Sequence, residues 1–228
     1  MTIVTQLFDT QQPDHRSAAI AKAAEAIGQR ELIVLPTDTV YGVGADAFSP
    51  QAVAVLLAAK GRSRQSPPPV LIGNLQVLNA LAADVPATGK LLAETFWPGA
   101  LTLIFQAQPS LSWDLGDTRG TVALRLPNDE LAQQILSQTG PLAVSSANRH
   151  GRPAATTIEQ AQEALGEAVA VYINDGARGS QQASTIVDCT VTPQRVLRSG
   201  AITIEQLREV VPDILDIDDP EPEDSPGS

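Results

Sequence analysis

Lys60, Arg62 and Arg64 place three positive charges within five residues, in the segment KGRSRQSPPP at positions 60–69. A glycine precedes Arg62 and three prolines follow from Pro67, so the segment reads as a stiff basic loop. Such a loop suits a polyphosphate, or is a solvated turn. A fourth cation is placed differently. In Thr121–Leu126 (TVALRL), period-two alternation puts Val122, Leu124 and Leu126 on one face and Thr121, Ala123 and Arg125 on the other. An arginine on the second face of a central strand is costly unless paired. Arg125 is therefore a candidate carboxylate or phosphate clamp through its bidentate fork, with a structural ion pair as the equal alternative. Three further segments set polar residues at the ends of apolar runs. In PTDTVYGVGADA (36–47), Thr37 and Thr39 alternate with Asp38, which points both hydroxyls to one side. In LAVSSAN (142–148), small side chains let a ligand approach the backbone. Ser184 opens STIVD and Arg198 closes RVLR just before Gly200; the plain reading of this pair is a surface hairpin with charged ends.

Several chemistries are excluded or disfavoured. Gly42, Gly44 and Ala47 fit G-x-G-x-x-A, but they lie well past the strand at Leu32–Leu35, and Lys60, Arg62 and Arg64 stand where the ribose-binding acid belongs. A glycine-bearing loop under the sheet is the simpler reading. A serine hydrolase needs a histidine base; of the two histidines, His15 and His150, the second shares the loop of the serines. G-x-S-x-G and G-x-x-x-x-G-K-[ST] are both absent. One cysteine, Cys189, and two histidines leave no metal cage of protein ligands. Cys189 is expected to pack as a small buried side chain, and Trp97 and Trp113 as core or lid aromatics.

The elements that must hold these residues alternate along the chain. Helices are expected at 16–29, from Pro50 behind a Ser49 cap, at 75–83, 87–96, 128–138 with Asn128 as cap, 157–165 and 203–210. Strands are expected at 32–35, 70–72, 101–105, 121–126, 142–144, 169–173, 185–187 and 195–197. This is one α/β domain, residues 1–211, around a twisted mixed sheet with flanking helices. From Pro212 the chain is rich in Asp, Glu, Pro and Ser, and residues 212–228 are expected to be a disordered acidic tail.

Length and charge bound the rest. A chain of 228 residues, 43% hydrophobic and 18% charged, can bury a core without disulfides or metal. The net charge is −11, of which the tail supplies seven acids; the body keeps nineteen acids against fifteen bases. That balance disfavours autonomous nucleic-acid binding and leaves room for a local basic groove. The N-terminus lacks the pattern of a signal peptide, and no apolar run approaches a membrane span. The expected compartment is the cytoplasm. The residues alone stop at a protein that binds a phosphorylated or carboxylated small molecule.

Taken together and in order, PTDTVYGVGADA (36–47), KGR (60–62), WPGALTLIF (97–105), VALRLPN (122–128), PLAVSSAN (141–148) with GRPAATT (151–157), STIVD (184–188) and LRSGAIT (197–203) resemble the YrdC/Sua5 family of threonylcarbamoyl-AMP synthases. The resemblance covers roughly residues 15–210. It implies a YrdC-like fold with a concave basic cavity. It implies a nucleotidyltransferase that makes threonylcarbamoyl-AMP and pyrophosphate from L-threonine, bicarbonate and ATP. Mg²⁺ would accompany ATP, and other proteins would transfer the group to adenosine 37 of tRNAs reading codons that begin with A. By matched position, Lys60, Arg62 and Arg125 would be catalytic. Lys60, Arg62, Ser66, Thr121, Ser146 and Arg198 would bind ATP. Thr39, Arg125, Val144 through its backbone, and Ser184 would bind threonine. Thr37, Asn148 and Ala154 belong to the same motifs as secondary positions.

The chain departs from the family pattern in places. KxRPxxxPL followed by a histidine becomes KGRSRQSPPPVLIG, with Ser63 for proline and no histidine nearby. The Ser-Gly pair after SAN is His150-Gly151, and P-S-P-T is P-A-A-T, so Ala154 replaces a nucleotide-contacting serine. The alternative is an RNA-binding YrdC-like module, against which the −11 charge argues. A carbamoyltransferase module would need zinc-binding segments that one cysteine cannot supply.

Overall fold

In a computed structural model, which describes residues 5–179 and 182–220, the chain builds one mixed sheet. The order is β1 (Gln6–Asp9), α1 (Pro13–Gly28), β2 (Ile33–Leu35), β3 (Gly42–Asp46), α2 (Pro50–Lys60), β4 (Val70–Leu71), α3 (Leu78–Leu81), β5 (Ala82–Ala83), α4 (Ala87–Phe96), β6 (Leu101–Ala107), β7 (Thr121–Arg125), α5 (Glu130–Thr139), β8 (Leu142–Ser146), α6 (Ile158–Leu165), β9 (Val171–Asn174), β10 (Thr185–Asp188), β11 (Arg195–Arg198) and α7 (Ile204–Val210). Across the sheet the strands run β1-β9-β2-β3-β8-β4-β7-β6-β10-β11, with β5 on β6. Helix starts follow local chemistry. Ser49 caps α2 through the amide of Ala52, with proline next in line. Thr157 and Thr203 close capping boxes with Gln160 and Gln206. Helix α5 is capped by Asp129, one residue after the expected Asn128.

The sheet separates two cores. Ile33 and Leu35 point into a smaller cluster under α1 and α5, with Ala23, Ile135, Val144 and Ile173. Leu32 and Val34 point the other way, into a larger cluster with Leu56, Leu92, Ile158 and Leu207 from α2, α4, α6 and α7. Cys189 is buried, and burial together with Asp188 pushes its thiol up to about 12. Folded protein at pH 8 should therefore resist a thiol-specific chromogenic reagent until denaturant is added. Prompt release of one equivalent from the folded state would contradict that burial.

Ala82–Ala83, expected inside the helix at 75–83, instead pair antiparallel with β6, and two larger expectations are corrected. Gly42–Asp46, read as a loop, is an interior strand paired antiparallel to both β2 and β8. Its glycines hide the strand signal, yet they are needed for close packing. A Cβ at Gly42 would stand 2.6 Å from Val144 Cγ1. The second correction concerns the tail. Residues 212–220 pack on the body: Ile214 is buried, Leu215 bridges to Arg195, and Arg208 pairs with Asp219 at 2.7 Å. Ile214 joins the larger core and Leu215 pairs its backbone with Gln194 and Val196, contacts that the run of acids obscures. Residues 221–228 lie outside the described part. No helix of the described residues is long and apolar enough to cross a membrane.

Candidate active site

Arg125 stands beside Leu71 in the parallel β4–β7 register and so shares its face of the sheet. Leu71 and Val144 belong to the smaller core, and both also line a cavity of about 160 Å³. The cavity thus opens on the α1/α5 face, toward β7, β6 and β10. Thr37, Thr39, Thr102, Ser145, Ser146 and Ser184 bring six hydroxyls to its wall. Arg62, Arg125 and Arg198 bring three guanidinium groups, and none of the described lining residues is acidic. Such a wall selects anions.

Each arginine is held by neutral oxygen or by one acid behind the wall. Arg125 is 7% exposed. It donates to Gly99 O at 3.0 Å, Thr39 Oγ1 at 3.2 Å and Asp38 Oδ1 at 2.6 Å. Of the two alternatives in the sequence, the ion pair is present, to Asp38, and it leaves part of the guanidinium fork unused. Burial lowers the Arg125 pKa, and Asp38 opposes that shift. Arg198 donates twice to Ser184 O, at 3.0 and 2.7 Å, and to Ser184 Oγ at 3.0 Å. Burial lowers its pKa too, helped by the positive charges of Arg125 and Arg62. Arg62 donates to Ser145 Oγ at 3.3 Å, and its buried Nε has no partner among the described residues. An arginine with spare donors on a cation-rich wall is poised for an oxyanion.

The hydroxyls are pre-oriented. Thr37 and Thr39 stand 3.1 Å apart, as their alternation requires, and Thr37 donates to Val40 O at 2.6 Å. Thr102 and Ser184 share a hydrogen bond of 2.8 Å. Gly200 lets the two ends of the β10–β11 hairpin close on each other: a Cβ there would meet Ala183 O at 2.4 Å. That approach is how a surface-like hairpin delivers Ser184 and Arg198 to one wall.

Of the residues expected at the site, Arg62, Arg125, Ser146, Arg198, Thr39, Val144, Ser184, Thr37 and Ala154 line the cavity together. Lys60 does not. It is 1% exposed, and its ammonium donates to Ser146 O, to Asn148 O at 2.6 Å and to Asn148 Oδ1 at 3.2 Å. Burial, with Arg62 nearby, pushes it down to about 7. Lys60 and Asn148 together fix the turn after β8 from behind. Ser66 lies on the basic loop away from the wall, bonded through its amide to Ser63 O at 3.1 Å. Thr121 donates to Thr118 O at 2.8 Å, also off the wall. Thr102 and Asp38 were not singled out as site residues. A threonine interrupting the apolar run LTLIF, and an acid between two threonines, are the traces they leave in sequence.

The family model described as telomere recombination, for the Sua5, YciO and YrdC proteins, matches residues 25–200. The chain belongs to this family. A Mycobacterium tuberculosis (strain H37Rv) relative, assigned by name to threonylcarbamoyl-AMP synthase, is 48% identical over 208 residues, 91% of this chain and 96% of its own. The Bacillus subtilis threonylcarbamoyl-AMP synthase is 36% identical over 210 residues, covering 91% of this chain and 59% of its own. The crystal structure of Pyrococcus abyssi Sua5 complexed with L-threonine superposes with a TM-score of 0.82 at 33% identity, over 86% of this chain. This chain spans 58% of that Sua5 chain. Escherichia coli YciO shares the fold, with a TM-score of 0.77 at 21% identity. The Sua5/YciO/YrdC fold thus accounts for the mixed sheet and flanking helices.

Proposed function

We propose that this chain is an L-threonylcarbamoyladenylate synthase. The observation that carries the reading is the convergence of Arg62, Arg125 and Arg198 on a hydroxyl-lined cavity with no acid among its described lining residues. The structural likeness to a Sua5 that was crystallised with L-threonine supports it. The amine of threonine attacks bicarbonate and expels water to give a carbamate. A carbamate oxygen then attacks the α-phosphate of ATP, and pyrophosphate leaves. Arg125 holds the threonine carboxylate with the donors that Asp38, Thr39 and Gly99 leave free. Thr39, Ser184 and the Val144 backbone complete that pocket. Arg62 and Arg198 face the phosphates, where fixed positive charge stabilises the pentavalent state and the leaving group. Ser146 and Ala154 border the nucleotide side.

Among the described residues no group of three or more His, Cys, Asp or Glu is placed to hold a metal. Mg²⁺ would accompany ATP as part of the substrate, where it would offset phosphate charge. The product would serve downstream proteins that modify adenosine 37 of tRNAs reading codons that begin with A. With a net charge of −11, direct binding of tRNA should be weak and lost at moderate salt. The deciding experiment omits substrates in turn. Pyrophosphate should form only when L-threonine, bicarbonate, ATP and Mg²⁺ are all present, with threonylcarbamoyl-AMP identified by mass. Undiminished pyrophosphate release without threonine would defeat the proposal, as would no release at all.

A further inference from the structure

Of the three cations in the basic loop, Arg62 reaches the cavity and Lys60 turns behind it; Arg64 does neither. Arg64 forms a two-pronged pair with Asp114, Nη1 to Oδ2 at 2.9 Å and Nη2 to Oδ1 at 2.7 Å. Its Nε lies 3.5 Å from Asp117 Oδ1. Both acids sit on the connection between β6 and β7, the strands that carry Thr102 and Arg125. The backbones interlock as well. Asp117 donates its amide to Arg64 O at 2.8 Å. Gly116 holds a φ of +104°, and a Cβ there would come within 2.6 Å of the same carbonyl. Asp114 Oδ1 also accepts the Gly116 amide at 3.1 Å. Arg64 and that amide hold the Asp114 carboxyl below its usual range. One residue earlier, Trp113 stacks on Phe48 with centroids 5.6 Å apart, so the connection is fastened at a second point just before α2.

The loop itself has little internal support between Gly61 and its first proline, Pro67, beyond one turn bond from the Ser66 amide to Ser63 O. An exposed ion pair alone contributes little. Here the pair is bidentate, and it closes over a backbone contact that only glycine permits. We propose that the β6–β7 connection is a clip that positions the basic loop, with Arg64 and Asp114 as its closing pair, so that Arg62 faces the cavity. Arg64 is then a positioning residue and not a ligand of the phosphates. The inference rests on the reading that Arg62 meets the phosphates of ATP.

The two roles for Arg64 differ in sign at Asp114. Calorimetric titration with inorganic pyrophosphate should show binding weakened about five- to tenfold by Arg64→Ala and, equally, by Asp114→Ala. The second variant makes the protein less negative, so simple attraction would change affinity the opposite way. The exchanged pair, Arg64→Asp with Asp114→Arg, should return to within about twofold of wild type. In steady state the two single variants should raise KM for ATP and leave KM for threonine unchanged. Their melting temperatures should stay within about 2 °C of wild type. Tighter pyrophosphate binding by Asp114→Ala would make Arg64 a phosphate ligand that Asp114 restrains, and would overturn the clip. Unchanged affinity in both single variants, or no pyrophosphate binding by wild type, would overturn it too. A wild type that binds pyrophosphate yet makes no threonylcarbamoyl-AMP would defeat the proposed reaction while still deciding the clip.

Discussion

Arg125→Ala should lower kcat/KM for threonine by about 30- to 1,000-fold, the loss of about 2–4 kcal/mol of charge-assisted binding in a buried site. Its effect on KM for ATP should be small. Two physical terms combine. The carboxylate of the amino acid loses its bidentate partner, and Asp38 is left buried without its 2.6 Å contact. The second term also lowers stability, so Arg125→Ala should be compared with Arg125→Ala/Asp38→Asn. If the clamp is what matters, the double variant recovers melting temperature but not threonine use. Lys60→Ala makes the contrast. Because the ammonium ties Ser146 O and Asn148 O, its removal loosens the turn that begins beside Val144 and runs past Ser146. Both KM values should then rise. Separate titrations of the two substrates decide the matter. An Arg125→Ala profile identical to that of Lys60→Ala would show that Arg125 supports the fold and does not clamp the substrate.

What could be read in the chain follows how local each signal is. The cap at Ser49 and the helix at Ala87–Phe96 depend on neighbouring residues, and both stand as expected. The alternation around Arg125 correctly sets it apart from the apolar face of its strand. The strand at Gly42–Asp46 is not legible in the sequence because its two glycines answer to Val144 across the sheet, a contact a hundred or more residues away. Lys60 shows the limit of a motif. Its type and spacing mark it as part of a basic loop, but only the fold reveals that backbone carbonyls, at Ser146 and Asn148, already occupy it. Asp38 and Arg64 are instructive in the same way, because each has meaning only through a partner, Arg125 or Asp114, brought from another element. Charge summed over the tail hides one core side chain, Ile214, which places the end of the packed chain beyond Pro212.

That boundary has a measurable consequence. Deleting residues 212–228 should destabilise the protein strongly, whereas deleting only residues 221–228 should not. The longer deletion removes Ile214, which is 1% exposed, and uncovers Val211 beside it. It also removes a short strand-like contact: Val196 donates to Leu215 O, and the Leu215 amide donates to Gln194 O, both at 2.8 Å. Arg195 loses the carbonyls of Asp216 and Asp219, at 3.0 and 2.8 Å, and Arg208 loses Asp219. Loss of one buried isoleucine alone costs about 2–5 kcal/mol, which lowers the melting temperature of a chain this size by roughly 5–15 °C. The loss should reach the cavity, because β11 ends at Arg198 and the same strand carries Arg195 and Val196. The shorter deletion removes Glu221, Glu223 and Asp224 and takes the net charge from −11 to −8. That segment offers no large apolar side chain for burial, so melting temperature should move by about 1 °C or less. Parallel thermal melts and pyrophosphate-release rates on the two truncations make the comparison. Equal stability of both with the full chain would mean that the contacts of Ile214 and Leu215 contribute nothing to the fold.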